Sequence, residues 1–275
     1  MHKTFWFLLL FVAAFMPPAH ADEAQPCDST TIKAVADWVG VQKGAYDAAC
    51  KVMPNAPRTT IAAMAFYSGE VVAGDGVVYG RRFLQVIALV EAGKVVAASH
   101  STLEEDSGFG FRSYRIDTAR YILSGDVRAF GVVLHYDPGT HKCINASAGE
   151  YELTLWIREG ENLRPIFGTN LHGWVQVKGE LCPYSGWYVN DGEDADTPHV
   201  SESAEMTISI EKTSSHGFAD LAITARVTRE SITLTLMKRT VRTVLKYDGK
   251  SYGINMFRTF WWPLEVCGAV PCPEP

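Results

Sequence analysis

The stretch YELTLWIREGENLRP, residues 151–165, alternates apolar side chains with mostly polar ones and then turns at Gly160. Successive side chains of a β-strand point to opposite faces, so strict alternation places every second residue on one face. That face carries Tyr151, Leu153, Leu155 and Ile157. Glycine takes the positive φ of a hairpin turn at no steric cost. The stretch therefore predicts an antiparallel hairpin with one buried face.

The same period of two recurs elsewhere in the chain, between short turns. An acidic residue and a glycine also stand together in VEAGKVV around Gly93 and in YDGKSY around Gly249. Further alternating runs occupy residues 130–136, 221–227 and 232–236. No fixed repeat length relates them, which argues against a propeller or a solenoid. We therefore expect a mainly β (α+β) protein in which residues 75 to 260, approximately, form antiparallel meander or sandwich-like sheets.

The first 21 residues, MHKTFWFLLLFVAAFMPPAHA, have the layout of a secretory signal peptide. His2 and Lys3 precede a twelve-residue apolar run at 5–16, and a small-residue site follows at 19–21. This run is shorter than the ~20 apolar residues that a membrane-spanning helix requires. We therefore expect a periplasmic or secreted protein that begins at Asp22 after cleavage and does not insert into the membrane.

The beginning of the mature chain has a helical period. In STTIKAVADWVG, residues 29–40, apolar side chains recur every three or four positions, which is typical of an amphipathic helix. Ser29 or Thr30 can cap the start of this helix, and Gly40 or Gly44 can end it.

A second short helix is predicted from the run TTIAAMAFY, residues 59–67, after Pro54 and Pro57 interrupt the first. The chain is accordingly divided into a signal peptide at 1–21, a helical N-terminal segment at 22–70, and antiparallel β regions at 71–182 and 183–275.

All six cysteines fall after the signal peptide, and an even count in an oxidising compartment predicts disulfides. Their order along the chain favours three local pairs, Cys27–Cys50, Cys143–Cys182 and Cys267–Cys272. Structural zinc sites use clustered cysteine pairs such as C-x-x-C, and this sequence has none. The cysteines are therefore predicted to stabilise the fold without a metal.

The net charge narrows the choice of partners. Once Lys3 is removed with the signal peptide, 24 basic residues stand against 31 acidic ones, a net charge of −7. A surface of this sign repels nucleic acid. It favours a basic protein as partner, because opposite charge accelerates encounter.

An enzymatic site has one candidate in the sequence. The hydrolase motif H-E-x-x-H is absent. Glu104, Glu105 and Asp106 precede a glycine-rich loop, and paired carboxylates can act as acid and base in glycoside hydrolysis. A solvated loop rim is favoured, because consecutive residues of a strand point to opposite faces. A secreted hydrolase acting on glycan or peptidoglycan stays as an alternative function.

A cluster of aromatic residues near the C-terminus offers another surface. It consists of Phe257, Phe260, Trp261 and Trp262. Large aromatic side chains dominate cores and interfaces alike. Closure of the core by a C-terminal strand is favoured, and an envelope- or carbohydrate-binding module that uses Trp261 and Trp262 stays as a further alternative.

The segment NDGEDAD, residues 190–196, carries Asp191, Glu193, Asp194 and Asp196. Carboxylates are calcium ligands, but the segment lacks the D-x-[DN]-x-[DN]-G pattern and the final glutamate of an EF-hand loop. A flexible acidic connector is the favoured interpretation. No cofactor and no bound metal are predicted.

Directly before this connector, Ser185-Gly186-Trp187-Tyr188 matches S-G-x-Y. This short motif resembles one carried by periplasmic inhibitors of invertebrate-type lysozyme. Farther along, HGFADLAI at 216–223 and VLKYDGKSY at 244–252 resemble the closing unit of a family of periplasmic β-rich proteins. That family includes those inhibitors and immunity proteins paired with secreted cell-wall hydrolases. The resemblance covers the chain from Cys182 onward.

The resemblance implies a protruding loop that inserts into the cleft of a lysozyme. The partner-binding residues would be Tyr184, Ser185, Gly186, Trp187, Tyr188, Asp191 and Asp194. Aromatic side chains are frequent interface anchors, and the carboxylates would meet a basic enzyme. The alternative is a buried hairpin whose aromatic residues face the core. The expected function is a periplasmic, non-enzymatic binding protein that neutralises a cell-wall-degrading enzyme, as a lysozyme inhibitor or as an effector immunity protein.

Overall fold

The structure is a computed structural model, and it describes residues 26–74, 76–106, 109–138, 146–147, 150–178, 200–231, 235–253, 260–263 and 266. One helix, α1, spans Ser29–Val39. The strands are β1 Asp47–Met53, β2 Ala56–Val72, β3 Val78–Glu91, β4 Lys94–Glu104, β5 Phe109–Asp117, β6 Phe130–Pro138, β7 Ala146–Ser147, β8 Tyr151–Glu159, β9 Asn162–Asn170, β10 His172–Lys178, β11 Val200–Ser215, β12 Phe218–Ser231 and β13 Thr235–Leu245. The predicted mainly β fold with a short N-terminal helix is confirmed.

The strands form two sheets. An eight-stranded sheet has the order β1-β2-β3-β4-β9-β8-β6-β5, and a five-stranded sheet has the order β13-β12-β11-β10-β7. Neighbouring strands are antiparallel except β4 and β9, which pair in parallel at Ala98 and Asn162. The edge strands of the larger sheet approach each other, since the Tyr114 amide on β5 donates to Asp47 Oδ2 on β1 at 2.9 Å. The larger sheet is therefore curled.

Three apolar cores stabilise this arrangement. The first lies inside the curled sheet and includes Phe83 and Phe111. The second lies beneath α1, where Val35 packs near Cys50, which is bonded to Cys27 in the predicted disulfide. The third joins the two sheets and contains Trp261 together with apolar residues of β8, β9, β11 and β12. The five-stranded sheet thus covers one face of the larger sheet, as in a sandwich.

Strand β8 confirms the alternation predicted for residues 151–157 at Leu153, Leu155 and Ile157, which are buried in the core between the sheets, whereas Tyr151 at its start is exposed. The turns at Gly93 and Gly160 join antiparallel strands as predicted, with φ of 71° and 65°. Gly249 is different, because β13 ends at Leu245 and the described residues 246–253 contain no strand. The hairpin prediction at Gly249 is therefore wrong.

The prediction of a second helix at residues 59–67 is also wrong, because these residues belong to β2. Residues 61–66 are all buried, so the strand shows no alternation of apolar and polar side chains. Ile61, Ala63 and Ala65 face the core inside the curl, while Ala62, Met64 and Phe66 face the core beneath α1. A strand covered on both faces loses the period of two that identifies it in sequence.

Two boundaries differ from the sequence interpretation. The helix begins after Asp28, whose carboxylate accepts from the Thr31 amide at 2.8 Å, so neither Ser29 nor Thr30 is the cap. Hydrogen bonds from the Thr31 hydroxyl, which donates to Asp28 Oδ2 at 2.7 Å, and from the Thr31 amide lower the pKa of Asp28. The division placed after residue 70 falls within β2, and the helical segment assigned to 22–70 contains β1 and most of β2.

Candidate functional site

The predicted partner-binding residues 184–194 lie outside the described residues, but the strands on either side of them are described. Strands β10 and β11 pair antiparallel from His172 and Glu205 to Lys178 and Val200. The 21 residues at 179–199 therefore connect two positions that are neighbours in one sheet. Hairpin connections usually need about 2–5 residues, and connections longer than about 12–15 residues are usually either functional or linker segments.

A buried ion-pair network lies at the base of this connection. Glu202, two residues after β11 begins, has no solvent exposure. Its Oε1 accepts from Arg229 Nε at 2.7 Å, and its Oε2 accepts from Arg239 Nη2 at 2.5 Å. Arg239 Nη2 also donates to the Trp261 carbonyl at 2.6 Å. The network ties β11, β12, β13 and the Trp261 segment together.

The acidic tract proposed as a hydrolase site is held by arginines. Glu105 is buried, and its carboxylate accepts from Arg81 Nε at 2.5 Å and Nη2 at 2.7 Å. The same carboxylate accepts from the Phe111 amide at 2.9 Å, and hydrogen bonding to Glu105 raises the pKa of Arg81. Glu104 is more exposed and accepts from Arg82 Nε at 2.6 Å. The carboxylates of both glutamates are occupied by arginine partners, so these contacts do not favour an acid–base pair.

The C-terminal aromatic residues face the core. Trp261 is 1% exposed, and Trp262 meets it edge to face with ring centroids 6.4 Å apart. Phe260 also packs against the core between the sheets, while Phe257 lies outside the described residues. Core closure at Trp261 is confirmed, although the described residues 260–263 contain no strand. A carbohydrate platform built on Trp261 is excluded by its burial.

The remaining sequence predictions fall mostly outside the described ranges. Cys27–Cys50 is present, whereas the cysteines of the pairs Cys143–Cys182 and Cys267–Cys272 are outside those ranges, as is the acidic segment 191–196. Among the residues that the structure describes, no group of three or more His, Cys, Asp or Glu side chains is placed to hold a metal ion. Within the same residues, no helix has the length and apolar character needed to span a membrane.

A polar chain crosses the inside of the curled sheet. Ser101 Oγ donates to Gln85 Oε1 at 2.9 Å, and Gln85 Nε2 donates to the Tyr114 hydroxyl at 2.8 Å. The backbone amide of Tyr114 in turn donates to the Asp47 carboxylate. Burial raises the pKa of both Asp47 and Tyr114. This chain connects β4, β3, β5 and β1, so it supports the curl.

The outer face of the five-stranded sheet carries a cleft of about 550 Å³. Strand pairing arranges its side chains in two rows. The first row is His172, Glu205, Arg226 and Thr240, and the second is Trp174, Ser203, Thr228 and Lys238. All of these except Trp174 line the cleft. The sequence interpretation missed this cleft, because only pairing between distant segments brings its residues together.

Comparisons with protein-family models, with curated proteins and with solved structures find no match for this chain. The function of the chain is therefore inferred from its sequence motifs and its geometry.

Proposed function

We propose that this protein is a periplasmic or secreted, non-enzymatic binding protein that neutralises a cell-wall-degrading enzyme, as a lysozyme inhibitor or an effector immunity protein. The observation that carries the proposal is the 21-residue connection between the paired positions Lys178 and Val200. This connection contains the S-G-x-Y match at 185–188. A connection far longer than a hairpin requires is well suited to partner contact.

The base of the connection supports this role. The hydrogen bonds of Glu202 to Arg229 and Arg239 hold the start of β11, the strand into which the connection leads. A fixed base lowers the conformational entropy that is lost when a loop binds a partner. More of the energy of partner contacts by aromatic anchors such as Trp187 and Tyr188 then remains in the net free energy of binding.

Charge supports a basic target. The mature chain carries a net charge of −7, and four carboxylates lie at residues 191–196. Attraction between unlike charges accelerates encounter and weakens as salt rises. Neutralising Asp191 and Asp194 with asparagine should therefore slow association with a basic enzyme, more at low salt than at high salt.

Tyr188→Ala tests the proposal most directly. Loss of an interface anchor should weaken binding to an invertebrate-type lysozyme by about thirtyfold, which corresponds to about 2 kcal/mol. The matched control is Tyr79→Ala, because Tyr79 is 51% exposed on β3 and lies outside the loop. Calorimetric titration with the enzyme and a thermal melt of each variant separate a binding defect from a folding defect.

Binding of the Tyr188→Ala variant at full strength, with a normal melt, would contradict the proposal. A large drop in melting temperature would instead support the buried-hairpin alternative, because truncating a buried aromatic residue costs about 3–5 kcal/mol. The wild-type protein alone should neither hydrolyse peptidoglycan nor be retained on a polysaccharide column. Turnover or retention would favour the hydrolase or the carbohydrate-binding module, respectively.

A further inference from the structure

Four side chains on the outer face of the five-stranded sheet form a square. Arg226 lies opposite Thr240, and Thr228 lies opposite Lys238, in the register of β12 and β13. Facing residues have Cβ atoms about 5 Å apart, and residues two apart along a strand are separated by about 7 Å. The two cations therefore occupy one diagonal of about 8 Å, and the two hydroxyls occupy the other. All four side chains line the cleft.

The two cations have no protein partner in this square. Within the described residues, neither the Arg226 side chain nor the Lys238 side chain makes a hydrogen bond or an ion pair. Both side chains are exposed, on the face opposite the buried Ala225 and Val227. Arg242, on the same face of β13, is different because it pairs with Glu211. The square thus combines unpaired positive charge with two hydroxyl donors.

Among the described residues that line the cleft, Glu205 is the one that carries a carboxylate. Glu205 lies opposite Arg226 on the side away from β13 and makes no ion pair within the described residues. It repels an anion on that side, so the space between β12 and β13 is the favourable position. Arg239, also in the lining, is already bound to Glu202.

We propose that this cleft binds the oxyanion of a small polar molecule, a phosphate or a carboxylate group, between Arg226 and Lys238. The guanidinium presents a planar fork of N–H donors, the ammonium adds a point charge, and the hydroxyls of Thr228 and Thr240 complete the ring of donors. The cleft volume of about 550 Å³ leaves room for a group of monosaccharide size beyond the oxyanion. This site does not include any of residues 179–199.

Calorimetric titration of the mature chain at constant ionic strength tests the site with three probes. Glucose 6-phosphate and glucuronate carry the two oxyanions on a sugar, and glucose carries neither. We expect saturable binding of at least one anionic sugar and none of glucose. Which anion binds identifies the group, phosphate or carboxylate.

Variants locate the site. Lys238→Met and Arg226→Gln should each weaken binding of the anionic sugar by about tenfold or more, since each removes a charged hydrogen-bond donor. Arg242→Gln, the matched control on the same face, should change the affinity less than about twofold. Glu205→Gln should strengthen binding, because it removes the opposing charge.

Three results would overturn the proposal. These are no saturable binding of either anionic sugar, equal binding of glucose, and equal weakening by Arg242→Gln and Lys238→Met. The last would indicate general attraction to a charged surface. The substituted side chains are exposed, and thermal melts of the variants check that folding is unchanged.

Discussion

Replacing Glu202 by glutamine should destabilise the protein strongly. The carboxylate is fully buried and accepts hydrogen bonds from Arg229 and Arg239. Removing one partner from a buried ion pair costs about 3–5 kcal/mol, because the opposite charge is left without compensation. The two arginine side chains are 21% and 27% exposed, so water recovers part of their solvation. The expected loss therefore lies near the lower end, at about 3 kcal/mol.

Urea unfolding of the purified protein measures this loss as a shift of the midpoint at constant slope. For a chain of this size, a loss of about 3 kcal/mol corresponds to a drop of about 6–12 °C in melting temperature. The matched control is Glu104→Gln, which removes an exposed pair with Arg82 whose side chains are 49% and 43% exposed. Exposed pairs contribute about 0–1 kcal/mol, so the control should unfold almost as the wild type does.

A Glu202→Gln variant that unfolds within about 0.5 kcal/mol of the wild type would refute the reasoning, because surface substitutions already span that range. The network would then contribute no net stability, and the start of β11 would not be a fixed base for the connection at 179–199.

Two further substitutions test other parts of the fold. Burial raises the pKa of the Asp47 carboxyl above its usual 3.8, so the folded state binds the carboxyl proton more tightly than the unfolded state does. The contribution of Asp47 to the free energy of unfolding is therefore lost as pH rises from the unfolded-state pKa through the folded-state pKa. Asp47→Asn should therefore be at least as stable as the wild type at pH 7 and show a flatter profile in denaturant titrations below that pH; a clearly less stable variant at pH 7 would contradict this. Gly80→Ala should lower the melting temperature sharply, because an added Cβ would lie 2.0 Å from the Glu105 carbonyl oxygen, whereas Gly44→Ala, with no atom within 4 Å of its Cβ, should melt like the wild type. Equal melting temperatures of the two alanine variants would contradict this prediction and would mean that the backbone near Gly80 shifts to accommodate the added Cβ.

The sequence by itself determined the elements whose signals are local. Strand β8 alternates because one face meets the core between the sheets and the other does not. Its turn at Gly160 and the turn at Gly93 are set by glycine's freedom at positive φ. The amphipathic period of α1 and its end near Gly40 are equally local. These features follow from the residues within one element and its own turn, so they could be predicted without any knowledge of distant contacts.

Tertiary structure decided what depends on distant segments. Strand β2 resembles a helix in sequence because α1 covers one face and the curled sheet covers the other, and neither cover is visible in residues 61–66.

The candidate sites divide in the same way. The S-G-x-Y match is contiguous, so the sequence alone singled out residues 185–188. Glu202 and Arg239 meet only because β11, β12 and β13 pair in one register, and the same register places Arg226 diagonal to Lys238. A shift of one residue would turn each of these side chains to the opposite face. Register is fixed by burial of the apolar face across the whole sheet, and that is a property of the folded protein rather than of any one segment.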